Sequence, residues 1–121
     1  MLITDPPGID LTSLRDRVAG RVSAPGDLDW DEARQAWNLA VDQRPAAVAS
    51  PHSVDDVIAI VDFARDRGLR VTAQGTGHNA AAYDTLAETI LVKTQEMRGV
   101  EIDAETRVAR VAAGALWIEV T

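Results

Sequence analysis

Apolar positions along the chain alternate between a helical rhythm and a strand-like one, and the changes of rhythm mark out elements. Residues 53–68, SVDDVIAIVDFARDRG, carry the clearest signal. Val54, Val57, Ile58, Val61 and Ala64 are spaced as one stripe of a helix. Ser53 with Asp56 three residues later is a capping-box pattern, and Gly68 stands where a helix-ending glycine belongs. The apolar run PAAVAS ends at Pro51 and predicts a strand; LRVTA, from Leu69, predicts a second. Strand, helix and strand make a βαβ unit, with parallel strands and a right-handed crossover. Further on, TILVKT predicts a third strand, and GVEID with TRVARVAA on either side of Ala104 and Glu105 predicts a hairpin. GALWIEVT predicts a helix from Gly114, with Leu116, Trp117 and Val120 as an apolar stripe that runs on to the last residue. That unterminated stripe leads to the expectation that the natural protein is longer.

The first third of the chain has a different texture. The segments DPPG and APGD punctuate it. DLTSLRDRVAG predicts a short helix with Leu11, Leu14 and Val18 on one face, closed by Gly20. DLDWDEARQAWNLA predicts another, with Trp30, Ala33 and Trp37 sharing a face and Asp29, Asp31 and Glu32 near its start, where the helix dipole favours them. The expected division is a helical N-terminal extension, 1–43, and a domain over 44–121.

Composition narrows the function classes. The 121 residues carry a formal net charge of -7, and Lys and Arg are scattered, so neither nucleic acid nor an anionic membrane is expected as a main partner. Cysteine is absent, which excludes disulfides and thiolate chemistry in these residues. MLITDPPGIDL lacks the basic and apolar regions of a secretory signal, and no apolar run approaches a membrane span. A soluble, cytoplasmic protein is the expectation.

One stretch carries candidate chemistry: AQGTGHNAAAY, Ala73 to Tyr83. It leaves the C-terminal end of a strand expected to be parallel, where open α/β sheets bind ligands. Gly75 and Gly77 let backbone N–H groups turn toward an anion, and Thr76 and Asn79 add side-chain donors. The stretch is neither GxGxxG nor a P-loop, so by spacing alone a polar turn is as good a reading as a ligand loop. His78 has the chemistry of a nucleophile or proton-transfer group. As a metal ligand it has only His52 as a second histidine, and no spacing supports recruiting Asp84 or Glu88. His52 reads most simply as a helix flank, and Tyr83 as either a loop anchor or a ligand-facing ring. Trp30, Trp37 and Trp117 sit in helical patterns and read as core residues.

The series RPAAVASPHSVDDVIAIVDFARDRGLRVTAQGTGHNAAAY, ILVKTQEMRGVEID and VARVAAGALWIEV resembles, in order and spacing, the start of the FAD-binding domain of FAD-linked oxidases. These are relatives of vanillyl-alcohol oxidase, and the resemblance is nearest to the berberine bridge enzyme and hydroxynicotine oxidase branch. It implies an α+β fold: a small first FAD-binding subdomain containing a βαβ unit, with a mixed sheet and flanking helices. It implies that Gln74, Gly75, Thr76, Gly77, His78 and Asn79 hold the FAD pyrophosphate, and that Gly114 approaches the cofactor. In many members the loop histidine, here His78, is bonded covalently to the flavin. The family loop usually begins with Arg; Gln74 keeps a donor and loses the charge. The second FAD-binding subdomain, the substrate domain and the catalytic base are expected beyond residue 121.

Two functions follow. The first is an FAD-dependent oxidoreductase acting on a small-molecule substrate, of which these residues alone are an inactive, self-associating part. The second is a non-catalytic α+β binding or interaction module whose glycine loop is only a turn.

Overall fold

The computed structural model describes residues 8–83 and 85–120. Most of the DPPG segment and the candidate Asp84 lie outside these. A four-stranded sheet forms the centre, in the order β1 (Arg21–Ser23), β2 (Ala47–Ser50), β4 (Thr89–Lys93), β3 (Arg70–Gln74). β2, β4 and β3 run parallel, and β1 closes the edge antiparallel to β2. The fold is thus α+β with a mixed sheet. The expected βαβ unit is present with one difference: β4 inserts between its two strands. Each outer parallel strand then has a fully buried neighbour, since every residue of β4 is buried. An apolar run of this kind is what a strand covered on both faces requires.

Strand alternation sends side chains to two cores. Ala47, Ala49, Ile90 and Val92 face Leu11 and Leu14 of α1 (Thr12–Arg17) and Ile60, Phe63 and Ala64 of α3 (Val54–Asp66). Val48 and Leu91 face Ala33 of α2 (Trp30–Ala33) and Leu86, with Trp30 packed alongside.

α3 begins where the sequence placed it, with the Ser53 hydroxyl accepting from the Asp56 amide. Its buried stripe is rotated from the expected one. Asp56, Ile60, Phe63 and Ala64 are buried, while Val54, Ile58 and Val61 are exposed. Phe63 sets the rotation, because the bulkiest apolar side chain of the helix takes the centre of the core. Asp56 is buried because its carboxylate accepts from the backbone N–H groups of Ala19, Gly20 and His52 at 2.9, 3.0 and 2.9 Å, rather than completing a capping box.

Three further expectations are corrected. The helix predicted over 27–40 forms only at Trp30–Ala33, and Trp37 is exposed rather than core. The helix predicted from Gly114 is a short 3-10 turn, Trp117–Glu119, with Leu116, Trp117 and Ile118 exposed. The region before residue 44 is not wholly helical, since it supplies β1 and, through Leu11, Leu14 and Val22, part of the core. The hairpin of β5 (Val100–Asp103) and β6 (Val108–Val111) forms as a separate two-stranded sheet. Its turn is longer than Ala104-Glu105: it runs to Arg107, whose φ is +58°, and the Asp103 carboxylate accepts from Glu105 and Thr106.

Candidate flavin-binding loop

The three parallel strands end on one edge of the sheet, at Ser50, Lys93 and Gln74. The loop that leaves Gln74 turns at Gly77, with φ +85°, and closes in a 3-10 turn at Ala80–Ala82. It walls a concave pocket of about 330 Å³, at the lower end of the range for small-molecule sites, lined among others by Gln43, Gln74, Gly75, Gly77, His78 and Tyr83. All six loop residues from Gln74 to Asn79 line it. Gly114 does not. It is buried elsewhere, donating to the Met97 carbonyl at 2.8 Å, and a Cβ there would sit 1.8 Å from the Thr94 carbonyl oxygen. Gly114 therefore acts behind the site: Thr94 donates from its backbone to Gln74 and from its hydroxyl to Ala113.

The loop leaves unspent donors and open space, which an anion or another oxygen-rich group would fit. The N–H groups of Gly75, Thr76 and Gly77 donate to no acceptor among the described residues. The space at Gly75 is open, so a ligand can approach the backbone. Gln74 is 8% exposed, and its side-chain amide nitrogen is buried with no hydrogen-bond partner among the described residues. Such an orphan costs about 1–3 kcal/mol. Gly77 could not be another residue without movement, because a Cβ there would lie 2.8 Å from the Gln74 amide nitrogen and 3.0 Å from the Ala36 Cβ.

His78 is exposed, and two contacts orient its ring. The Thr76 hydroxyl bonds Nδ1, and the Trp37 indole stacks on its face with centroids 4.3 Å apart and planes 27° apart. The Trp37 amide also donates to the Thr76 carbonyl at 3.0 Å. The segment carrying Trp37 is held by a reciprocal pair: Arg34 donates to the Gln43 carbonyl and the Gln43 amide donates to the Arg34 carbonyl, each at 3.0 Å. Hydrogen bonds from Arg34 to Asp42 and Asp31 raise the guanidinium pKa above its usual value and fix its charge.

The sequence reading missed Trp37 and Gln43. The helix expected to carry Trp37 on its core face stops at Ala33, and Gln43 follows that segment where no rhythm marks an element. Lys93 was missed as well. It is a buried cation at the end of β4, and its ammonium donates to the Gln35 carbonyl. Burial lowers its pKa, nearby Arg21 lowers it further, and Glu32 opposes them. Lys93 lines a separate, more polar cavity of about 580 Å³ with Arg21, Glu32, His52 and Glu96. Among the described residues no group of three or more His, Asp or Glu is placed to hold a metal ion. No helix among them is long and apolar enough to cross a membrane.

Comparison with known proteins agrees with this geometry. Residues 45–121 match the family described as FAD binding domain, and the chain belongs to it. Its cofactor is FAD. Glucooligosaccharide oxidase of Sarocladium strictum is 35% identical over 88 residues, covering 71% of this chain and 17% of that protein. The solved structure of 6-hydroxy-D-nicotine oxidase from Arthrobacter nicotinovorans is 30% identical, with a TM-score of 0.71 over 82% of this chain and 22% of that one. A berberine-bridge-enzyme-like protein of Physcomitrella patens is 25% identical, with a TM-score of 0.74 over 88% of this chain and 23% of that one. The chain thus spans about a fifth of the length of these relatives.

Proposed function

We propose that residues 44–121 are the first subdomain of an FAD-binding domain, and that the loop from Gln74 to Asn79 holds the FAD pyrophosphate. The full-length protein is then an FAD-dependent oxidoreductase that moves a hydride from a small organic substrate to the flavin. The observation that carries this reading is the orphaned Gln74 amide beside three unspent loop N–H groups, at the C-terminal edge of a parallel sheet. Backbone donors of this kind neutralise a pyrophosphate without lysine or arginine, which suits a loop that has neither.

FAD supplies the two-electron acceptor when bound. Gly75 and Gly77 allow the close approach, Gln74 donates from beneath, and His78 is the candidate attachment residue. In an attachment, a ring nitrogen of His78 would be the bonding atom and the imidazole would give up its proton, while the flavin would supply the two-electron oxidation that the bond requires. Oligosaccharide hydroxyls are the first substrate class to test, because a glucooligosaccharide oxidase is among the relatives.

Two finer proposals complete the reading. The isolated chain self-associates through Leu116, Trp117 and Ile118, which are 44%, 77% and 79% exposed. The protein is placed in the cytoplasm on its acidic composition without cysteine, which cell fractionation tests.

Tryptic digestion of the full-length protein followed by mass spectrometry tests the attachment. A flavin mass on the peptide of residues 71–93, absent in His78→Ala, is the expected result. A full-length protein that is colourless and takes up no FAD would leave the glycine loop as a turn in a non-catalytic module.

A further inference from the structure

We propose that Trp37 is a positioning residue for His78, so that the segment before the family match helps to complete the flavin site. The inference rests on the reading of His78 as the attachment residue. Trp37 lies outside the matched residues 45–121. It is 66% exposed, so burial is not what holds it. Its indole covers one face of the His78 imidazole at 4.3 Å, and its own backbone N–H is tied to the carbonyl of Thr76, within the same loop. Next to it, Ala36 is buried, with its Cβ close to where a side chain on Gly77 would begin. The 34–43 segment is thus fitted to the loop at three successive loop residues, Thr76, Gly77 and His78.

The chemistry gives this contact a purpose. A histidine on a glycine-containing loop has many orientations, and bond formation needs one. Thr76 engages Nδ1, and Trp37 restricts rotation of the ring plane. The other ring nitrogen, Nε2, has no partner among the described residues. Holding a reacting group in a narrow range of geometry lowers the barrier to its reaction without adding any chemical group. Trp37 touches neither a proton nor a bond that changes, so its effect is on the rate of attachment and not on whether the flavin is bound.

The experiment uses the full-length protein prepared without flavin and then mixed with FAD. Two quantities are followed: total bound FAD, and the fraction of flavin that stays with the protein after acid precipitation. Trp37→Ala is expected to bind FAD like the parent and to form acid-stable flavin about two- to tenfold more slowly, the range that an aromatic stacking contact spans. Trp37→Phe keeps a ring at the contact and is expected to recover most of the rate. His78→Ala serves as the control for the underlying reading and is expected to form no acid-stable flavin. Independently of flavin, the His78 ring protons should show an upfield ring-current shift by NMR that Trp37→Ala removes.

If His78→Ala still forms acid-stable flavin, the attachment reading fails. If His78→Ala abolishes it while Trp37→Ala attaches FAD at the parent rate, the positioning role of Trp37 is overturned and the attachment reading stands. Equal loss of bound FAD and attachment in Trp37→Ala, with no recovery in Trp37→Phe, would also overturn positioning in favour of a purely structural role.

Discussion

Single residues carry most of the site, and each does so for a different physical reason. Gly77 combines φ +85° with a lack of room for a Cβ. Gly77→Ala is expected to cost about 1–3 kcal/mol in denaturant unfolding and to push the Gln74 amide out of place. Asp56 stands outside the site and pins the N-terminal segment to α3 through the amides of Ala19 and Gly20, and accepts a third bond from the His52 amide just before the helix. Burial pushes its carboxyl pKa up, and donors from His52, Ala19 and Gly20 bring it below the ordinary 3.8. A depressed carboxylate stabilises the fold above its unfolded pKa, and that contribution disappears as pH falls through the folded value. Asp56→Ala is therefore expected to lose about 3 kcal/mol at neutral pH. The gap between parent and variant should close as urea titrations move below pH 3.8. At this scale the sequence told half the story. The donors and glycines of the loop were readable from their types, whereas Trp37 and Gln43 reach it only through tertiary packing. Gly114 was readable as special, and in the structure it serves a close backbone approach to Thr94.

Elements were legible where local pattern and burial agree. β2, β3, β4 and α3 fall close to their expected ranges, because a capped helix and apolar runs depend on near neighbours. The errors lie where a periodic apolar pattern had no partner to cover it. Leu116, Trp117 and Val120 follow a helical rhythm, yet only a 3-10 turn forms. Val54, Ile58 and Val61 follow one too, and Phe63 outweighs them in choosing the buried face. Closeness of approach also sets a prediction for the β4 end. Gly114→Ala forces the backbone away from the Thr94 carbonyl and is expected to cost about 1–3 kcal/mol, read as a lower thermal midpoint. Because Thr94 donates to Gln74, FAD affinity should fall in the same variant even though Gly114 lies outside the pocket.

For the whole molecule, the parallel strands end together at one edge of the sheet, beside the loop proposed to hold the cofactor. The chain spans about a fifth of the length of each compared relative. The exposed apolar residues at 116–118 lead to the expectation that the isolated chain sediments as oligomers and binds a hydrophobic dye. A monodisperse monomer without dye binding would contradict that. The central claim is that the loop from Gln74 to Asn79 holds FAD, and the most direct test is the FAD content and affinity of the full-length protein with and without Gly77→Ala. The account predicts a yellow parent protein with about one flavin per chain and a folded variant that binds FAD far more weakly. A parent protein without flavin, or a variant that binds FAD as tightly as the parent, would contradict it.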